Sequence, residues 1–163
     1  MKKINSIFFR SIFILILALH ISVSANTIDL DKITKQNSKS HTLLFFHMKY
    51  CPYCEAMIDE SLKNKDLKEI ITNNFNYIDV NISTSGDIKY NDFKGSKHNF
   101  AKSLNINFYP TIIFLNNKDT IVYRVKGYRD IEKFTNIIKY ISSNSYQTMS
   151  LEDYLNSLEM DID

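Results

Sequence analysis

The stretch LLFFHMKYCPYCEAM, residues 43–57, holds both cysteines of the chain, Cys51 and Cys54, with only Pro52 and Tyr53 between them. It opens as an apolar run, HTLLFF, of strand length; such a run reads as a strand buried on both faces. It closes by entering PYCEAMIDESLKN, where Pro52 stands near a helix start, a position at which its missing N–H costs nothing. Met57, Ile58 and Leu62 then fall on one helical stripe. The cysteines therefore sit where a strand gives way to a helix. Three readings compete for them: metal ligands, a structural staple, or a pair that opens and closes.

Arithmetic weighs against the metal. A structural zinc site takes four ligands, and beyond the first 25 residues only His41, His47 and His98 accompany the cysteines, none at a ligand-like spacing. No metal and no other cofactor is expected. Magnitude weighs against the staple, because closing a loop of about four residues removes only roughly 2 kcal/mol of unfolded-state entropy. The chain is 44% apolar, with 11 Phe and 10 Tyr, and has material for an ordinary core. The working pair fits the surroundings. Cys51 falls at a helix N-terminus, where unpaired N–H groups and the dipole favour a thiolate, and Lys49 and a protonated His47 add positive potential. Cys54, one turn on, is placed to attack a mixed disulfide formed at Cys51. Lowering a thiol by about two units from about 8.5 makes it mostly thiolate, costs roughly tenfold in nucleophilicity and makes it a good leaving group.

Compartment bears on the choice. MKKINSIFFR supplies Lys2, Lys3 and Arg10, and SIFILILALHISVSA follows as an apolar run with Val23 and Ala25 at the −3 and −1 positions of a signal-peptidase site. Residues 1–25 are read as a cleaved signal peptide that delivers the rest across a membrane, to a place where disulfides persist. An uncleaved anchor is the alternative, but Ser11 to Ala25 is short against a span of roughly 20 residues. Residues 26–40 form a polar lead-in, and 41–163 one domain. A net charge of +2, with acids and bases interleaved, offers no stripe for nucleic acid.

Along that domain, KDLKEIITNNF continues as a second helical piece and NYIDVNI alternates as a strand. Ser83 to Asn99 reads as a surface loop or insertion, ahead of a short helix through Phe100 and Leu104. YPTIIFLNNKDTIVYRVKGY is a hairpin turning at Asn116-Asn117-Lys118-Asp119. Asp130 caps a helix with Ile131, Phe134, Ile137, Ile138 and Ile141 on its apolar face, and Ser150 opens a last amphipathic piece. The order β, α, α, β, α, β, β, α plus a tail is that of a layered α/β domain.

CPYC between a strand and a helix, with FYPTIIF downstream, resembles the thioredoxin superfamily, and within it periplasmic thioredoxin-related proteins of the SoxW type. The likeness runs from about Leu43 to Tyr154, and the closing YISSNSYQTMSLEDYL favours that subgroup. It implies a thioredoxin fold: a central mixed sheet flanked by helices, an insertion before the strand that follows Pro110, and a C-terminal helical tail. It implies Cys51 as nucleophile, Cys54 as resolving thiol, and Tyr109-Pro110 as a cis-proline pair opposite them. Pro110 then joins the catalytic set, while Tyr109, Pro52 and Tyr53 shape the surface that receives substrate. The activity implied is a thiol-disulfide oxidoreductase acting on exported proteins, reducing or isomerising rather than oxidising. The same likeness implies electrons from a membrane thiol-disulfide transporter and a monomeric chain. Its rivals are an oxidant of the Dsb type and a non-catalytic binding or chaperone module.

Three departures stand out. Phe45 occupies the position, six before Cys51, where thioredoxins carry a buried Asp. The Cys51–Pro110 interval is long, and the Gly-Gly that helps glutaredoxins hold glutathione is missing after Ile113. Elsewhere, Tyr140, Tyr146 and Tyr154 read as packing, Met48 and Met57 as lip and core rather than copper ligands, and Lys94, Lys97 and Lys102 as a solvated face.

Overall fold

The apolar run around Leu43 sends alternate side chains to opposite faces, and each face has its own core. The computed structural model describes residues 27–36 and 39–160; the expected signal peptide, residues 1–25, lies outside them. In chain order the elements are β1 (Thr27–Asp29), α1 (Leu30–Gln36), β2 (His41–His47) and α2 (Pro52–Met57), which continues as a π turn (Ile58–Leu62). Next come α3 (Lys65–Asn74), β3 (Phe75–Asn81), β4 (Asp87–Tyr90), β5 (Phe93–Ser96) and α4 (Lys97–Ser103). The chain closes with β6 (Thr111–Asn116), β7 (Ile121–Lys126), α5 (Ile131–Ser142), a 3-10 turn (Ser145–Gln147) and α6 (Leu151–Met160).

The main sheet has the order β3-β2-β6-β7, with β2 parallel to β3 and the other pairs antiparallel. On one face, Leu43 and Phe45 of β2 pack with Ile112 and Phe114 of β6 beneath α2, α3 and α5, which contribute Met57, Ile71 and Phe134. On the other, Leu44 and Phe46 pack with Val80, Ile113 and Leu115 against Leu30, Ile88 and Phe100. Truncating a fully buried Phe such as Phe46 to Ala is expected to cost about 3–5 kcal/mol. The helices begin where the sequence places caps. Asp130 Oδ1 accepts the Lys133 N–H at 2.8 Å, and Ser150 Oγ accepts that of Asp153 at 3.1 Å. The tail is packing: Tyr140 donates to the Met149 carbonyl oxygen at 2.7 Å and its ring meets Tyr154 at 5.4 Å.

Two segments differ from expectation. Ser83 to Asn99 is no loop; it holds β4 and β5, an antiparallel pair turning through Asn91 at φ 51°. Ile88, Tyr90 and Phe93 give too brief an alternation for a strand to stand out among Gly, Ser, Asn and Asp. The polar lead-in is also structured. β1 pairs parallel with β4, completing a second sheet of order β1-β4-β5, and α1 buries Leu30 completely. Ile28, Leu30 and Ile33 are too sparse to announce an element that a partner some 60 residues away completes. Among the described residues, no helix is long and apolar enough to cross a membrane.

Candidate active site

Four residues carry the chain from β2 to α2, and Tyr50 makes the bend. It takes the left-handed region at φ 58°, uncommon for a residue with a Cβ, and stands 93% exposed. Cys51 follows as the N-cap of α2, with Pro52 on the first turn. Cys51 and Cys54 are joined by a disulfide, their Cα atoms 5.2 Å apart. The Cys51 carbonyl oxygen accepts the N–H groups of Cys54 and Glu55 at 3.0 Å, while the Cys54 N–H also reaches Cys51 Sγ at 3.2 Å. An N–H aimed at sulfur in this way bonds a charged sulfur about twice as strongly as a neutral one. Cys51 keeps 9% of its surface and Cys54 only 1%.

Opposite the pair, Cys51 Sγ lies 3.7 Å from the Tyr109 carbonyl oxygen. A disulfide sulfur carries no proton, so only a Cys51 thiol can donate there. The Tyr109–Pro110 peptide bond is cis. Its surroundings are fixed by backbone anchors: the Gly127 N–H donates to the Pro110 carbonyl at 2.8 Å, and Thr111 Oγ1 to that of Phe108 at 2.7 Å. Gly127 holds φ +82°, which suits a residue without Cβ. Beside the sulfurs opens a cleft of about 530 Å³ lined by Tyr53, Phe108, Tyr109, Lys126, Gly127 and Tyr128. Its walls are mostly aromatic, and Phe108 remains 68% exposed. Burial pushes the Tyr109 phenol above its ordinary range, and a hydrogen bond donated to Glu60 does the same for Tyr128.

The structure thus brings Cys51, Cys54, Pro52, Tyr53, Tyr109 and Pro110 to one end of the sheet. It adds Phe108, Gly127 and Tyr128. Phe108 was legible beside Tyr109; the other two follow β7, and no local signal in the chain ties them to CPYC. The expected electrostatic help is altered. His47 Nε2 lies 2.9 and 3.0 Å from the two carboxylate oxygens of Asp79, so any charge on its ring is matched there. Lys49 is exposed, with its backbone N–H donated to Ser83 Oγ. Phe45 is fully buried, as an apolar occupant of its strand position should be. The arrangement is chemically a dithiol/disulfide couple with both residues largely buried, Cys54 the more deeply, beside an apolar cleft.

Solved structures with this architecture include a thioredoxin-fold protein from Helicobacter pylori, at 29% identity and a TM-score of 0.63, covering 75% of this chain and 81% of that one. A thioredoxin from Thermus thermophilus matches at 18% identity and TM-score 0.57, over 72% and 87% of the two chains. A DsbH oxidoreductase matches at 14% and 0.52, over 69% and 78%. The latter two likenesses concern the fold alone. No curated protein matches the chain. The family model described as thioredoxin-like domain matches residues 28–142, and the chain belongs to that family.

Proposed function

We propose that the protein is a periplasmic thiol-disulfide oxidoreductase of the SoxW type, exchanging its Cys51–Cys54 couple with exported proteins as a reductase or isomerase. The observation that carries this reading is the unequal pair: a disulfide whose first sulfur caps a helix beside an apolar cleft and whose second is buried. Cys51 as thiolate attacks a partner disulfide, forming the mixed disulfide and expelling the partner's other sulfur. Cys54 then attacks Cys51 Sγ, closing the internal disulfide and freeing the second partner thiol. Tyr109, Pro110, Pro52 and Tyr53 shape the surface on which the partner segment lies extended, by strand-like addition. No cofactor takes part, and a membrane thiol-disulfide transporter restores the dithiol of the monomeric protein.

The direction follows from how strongly the thiolate is held. A strong oxidant stabilises its reduced form heavily. Here one backbone N–H serves Cys51 Sγ, and the His47 ring is engaged by the Asp79 carboxylate. That favours a reducing couple over a Dsb-type oxidant. Equilibrium titration against glutathione tests it. The expected midpoint lies at about −230 mV or below; a value near about −120 mV would assign the oxidant instead. A Cys51→Ser, Cys54→Ser double variant that sustained full activity in the cell would make the fold a binding module.

A further inference from the structure

The helix capped by Cys51 does not run on as a regular α-helix. At its far end the Lys63 N–H donates to the Ile58 carbonyl oxygen, five residues back, at 2.9 Å. That is the wider spacing of a π turn, a feature frequent at functional sites. The turn carries Ile58 and Leu62, both only partly buried against the core. α3 follows, with Ile71 and Thr72 three and four residues after Lys68 and so on the same side of the helix. β3 is an edge strand of the main sheet. Its Phe75 is buried, whereas Tyr77 and Asp79, further along the same face, stay open: Tyr77 is 39% exposed and the Asp79 side chain 53%.

Between the π turn, α3 and β3 lies a cavity of about 250 Å³, lined by these side chains and Lys63. It sits at the β3 edge of the sheet, whereas the cleft beside the disulfide takes in the end of β7, the opposite edge. Ile58, Leu62 and Ile71 make its apolar wall, and a ligand body that covers such a wall removes it from water. An apolar cavity of about 150 Å³ takes up benzene, so this one has room for a ring and a short arm. The polar groups decide what the arm carries. Lys63 is held by Asp59 at 2.6 Å, and both Asp79 carboxylate oxygens lie within 3.0 Å of His47 Nε2. Lys68 makes no ion pair among the described residues. The Tyr77 hydroxyl likewise has no hydrogen-bond partner among them. Burial, and after it the Asp79 charge, pushes this phenol above its ordinary range, so it keeps its proton and remains a donor.

We propose that this cavity binds a small arylalkyl carboxylate. The ring packs among Ile58, Leu62 and Ile71, and the carboxylate accepts hydrogen bonds from the Tyr77 hydroxyl and the Lys68 ammonium. Charge complementarity selects this ligand. An ammonium arm would face Lys68, with the one carboxylate of the lining already engaged by His47. A neutral amide arm would reach the same donors but forgo the stronger bond that charge provides. No cysteine takes part, so the site stands independently of the exchange reading above.

Titration of the oxidised protein with phenylacetate, followed by backbone amide chemical shifts, tests the proposal. Saturable shifts should centre on residues 58–63, 68–72 and 77–79, with a dissociation constant of about 10 mM or tighter, as suits a ligand of that size. Phenylacetamide, which has the same shape without the charge, should bind about tenfold more weakly. Phenylacetate should lose about tenfold in affinity for Lys68→Gln and again for Tyr77→Phe. Acetate, which lacks the ring, should give no saturable shift there. Lys68 is exposed, so Lys68→Gln keeps the question answerable even where Tyr77→Phe fails to fold. Absence of saturable shifts with phenylacetate would overturn the proposal, as would shifts confined to the cleft of Phe108 and Tyr128. Equal or tighter binding of phenethylamine, or an unchanged affinity in Lys68→Gln, would overturn it too.

Discussion

Two histidines face the same side of β2 from opposite ends, and their surroundings differ in kind. His41 is 2% exposed; its ring meets Tyr146 edge-on at 5.7 Å and its Nε2 shares a 3.2 Å hydrogen bond with the Tyr146 hydroxyl. Burial holds it below the ordinary imidazole value, so it stays neutral. His47 instead meets a carboxylate that opens to solvent. At the His41 end the buried histidine and the tyrosine satisfy each other's hydrogen bond. The other ends in a histidine–carboxylate pair open to solvent, where the chain leaves the strand for the Cys51–Cys54 couple. Stability is expected to concentrate at the first end and chemistry at the second.

The sharpest way to break that division is Cys51→Ser. Exchange with a protein disulfide should vanish, while unfolding free energy under oxidising conditions falls by only about 2 kcal/mol, the closure entropy of a loop of about four residues. Retained exchange would mean that Cys54 is the attacking sulfur. Phe45→Asp tests whether the apolar face of β2 can be made to serve the chemistry. Burying an acid and deleting an aromatic ring should cost about 4 kcal/mol or more in urea unfolding. It should speed resolution of the mixed disulfide at neutral pH, because desolvation raises the acid toward the range where it acts as a base; an unchanged rate would mean that another group handles the Cys54 proton. Phe108→Ala removes an exposed wall of the cleft. The KM for a protein disulfide should rise about tenfold, equivalent to about 1.4 kcal/mol, with stability unchanged within about 0.5 kcal/mol. At the far end, Tyr146→Phe should cost about 1 kcal/mol and leave exchange rates alone.

The smallest effect separates the two histidines by pH. A buried neutral His41 has its folded value depressed, so its contribution to stability is complete above the unfolded value of about 6.5 and is lost as pH falls through and below it. Denaturant midpoints measured from pH 7 down to pH 5 should decline, and His41→Gln should flatten that decline. An equal slope in both proteins would place the pH sensitivity elsewhere.

How much of this was legible in the chain depends on range. The double-sided strand, CPYC at the helix start, the hairpin and the caps at Asp130 and Ser150 are written in contiguous residues, and each stands where the sequence placed it. The cleft was half legible: Tyr53 and Tyr109 flank recognisable motifs, whereas Tyr128 arrives by a chain reversal that no local pattern encodes. The His47–Asp79 pair was hidden differently. His47 looked like a cation near Cys51, and only the β2–β3 register, a long-range fact, shows that a carboxylate claims it. Likewise β1 has no strand signal of its own, because the strand it pairs with, β4, lies far along the chain.

That borrowed strand has a consequence for timing. Asp29 and its partner Lys89 are 60 residues apart, an interval that takes roughly 3–12 s to synthesise at about 5–20 residues per second. Until β4 emerges, β1 has no strand to pair with, and the core around Leu30, Leu44 and Phe46 lacks Ile88 and Phe100. Contacts of such long separation also form slowly once available. The strand pairing at the leading end of the domain therefore closes seconds after that end is made, the last part of this sheet to find its place.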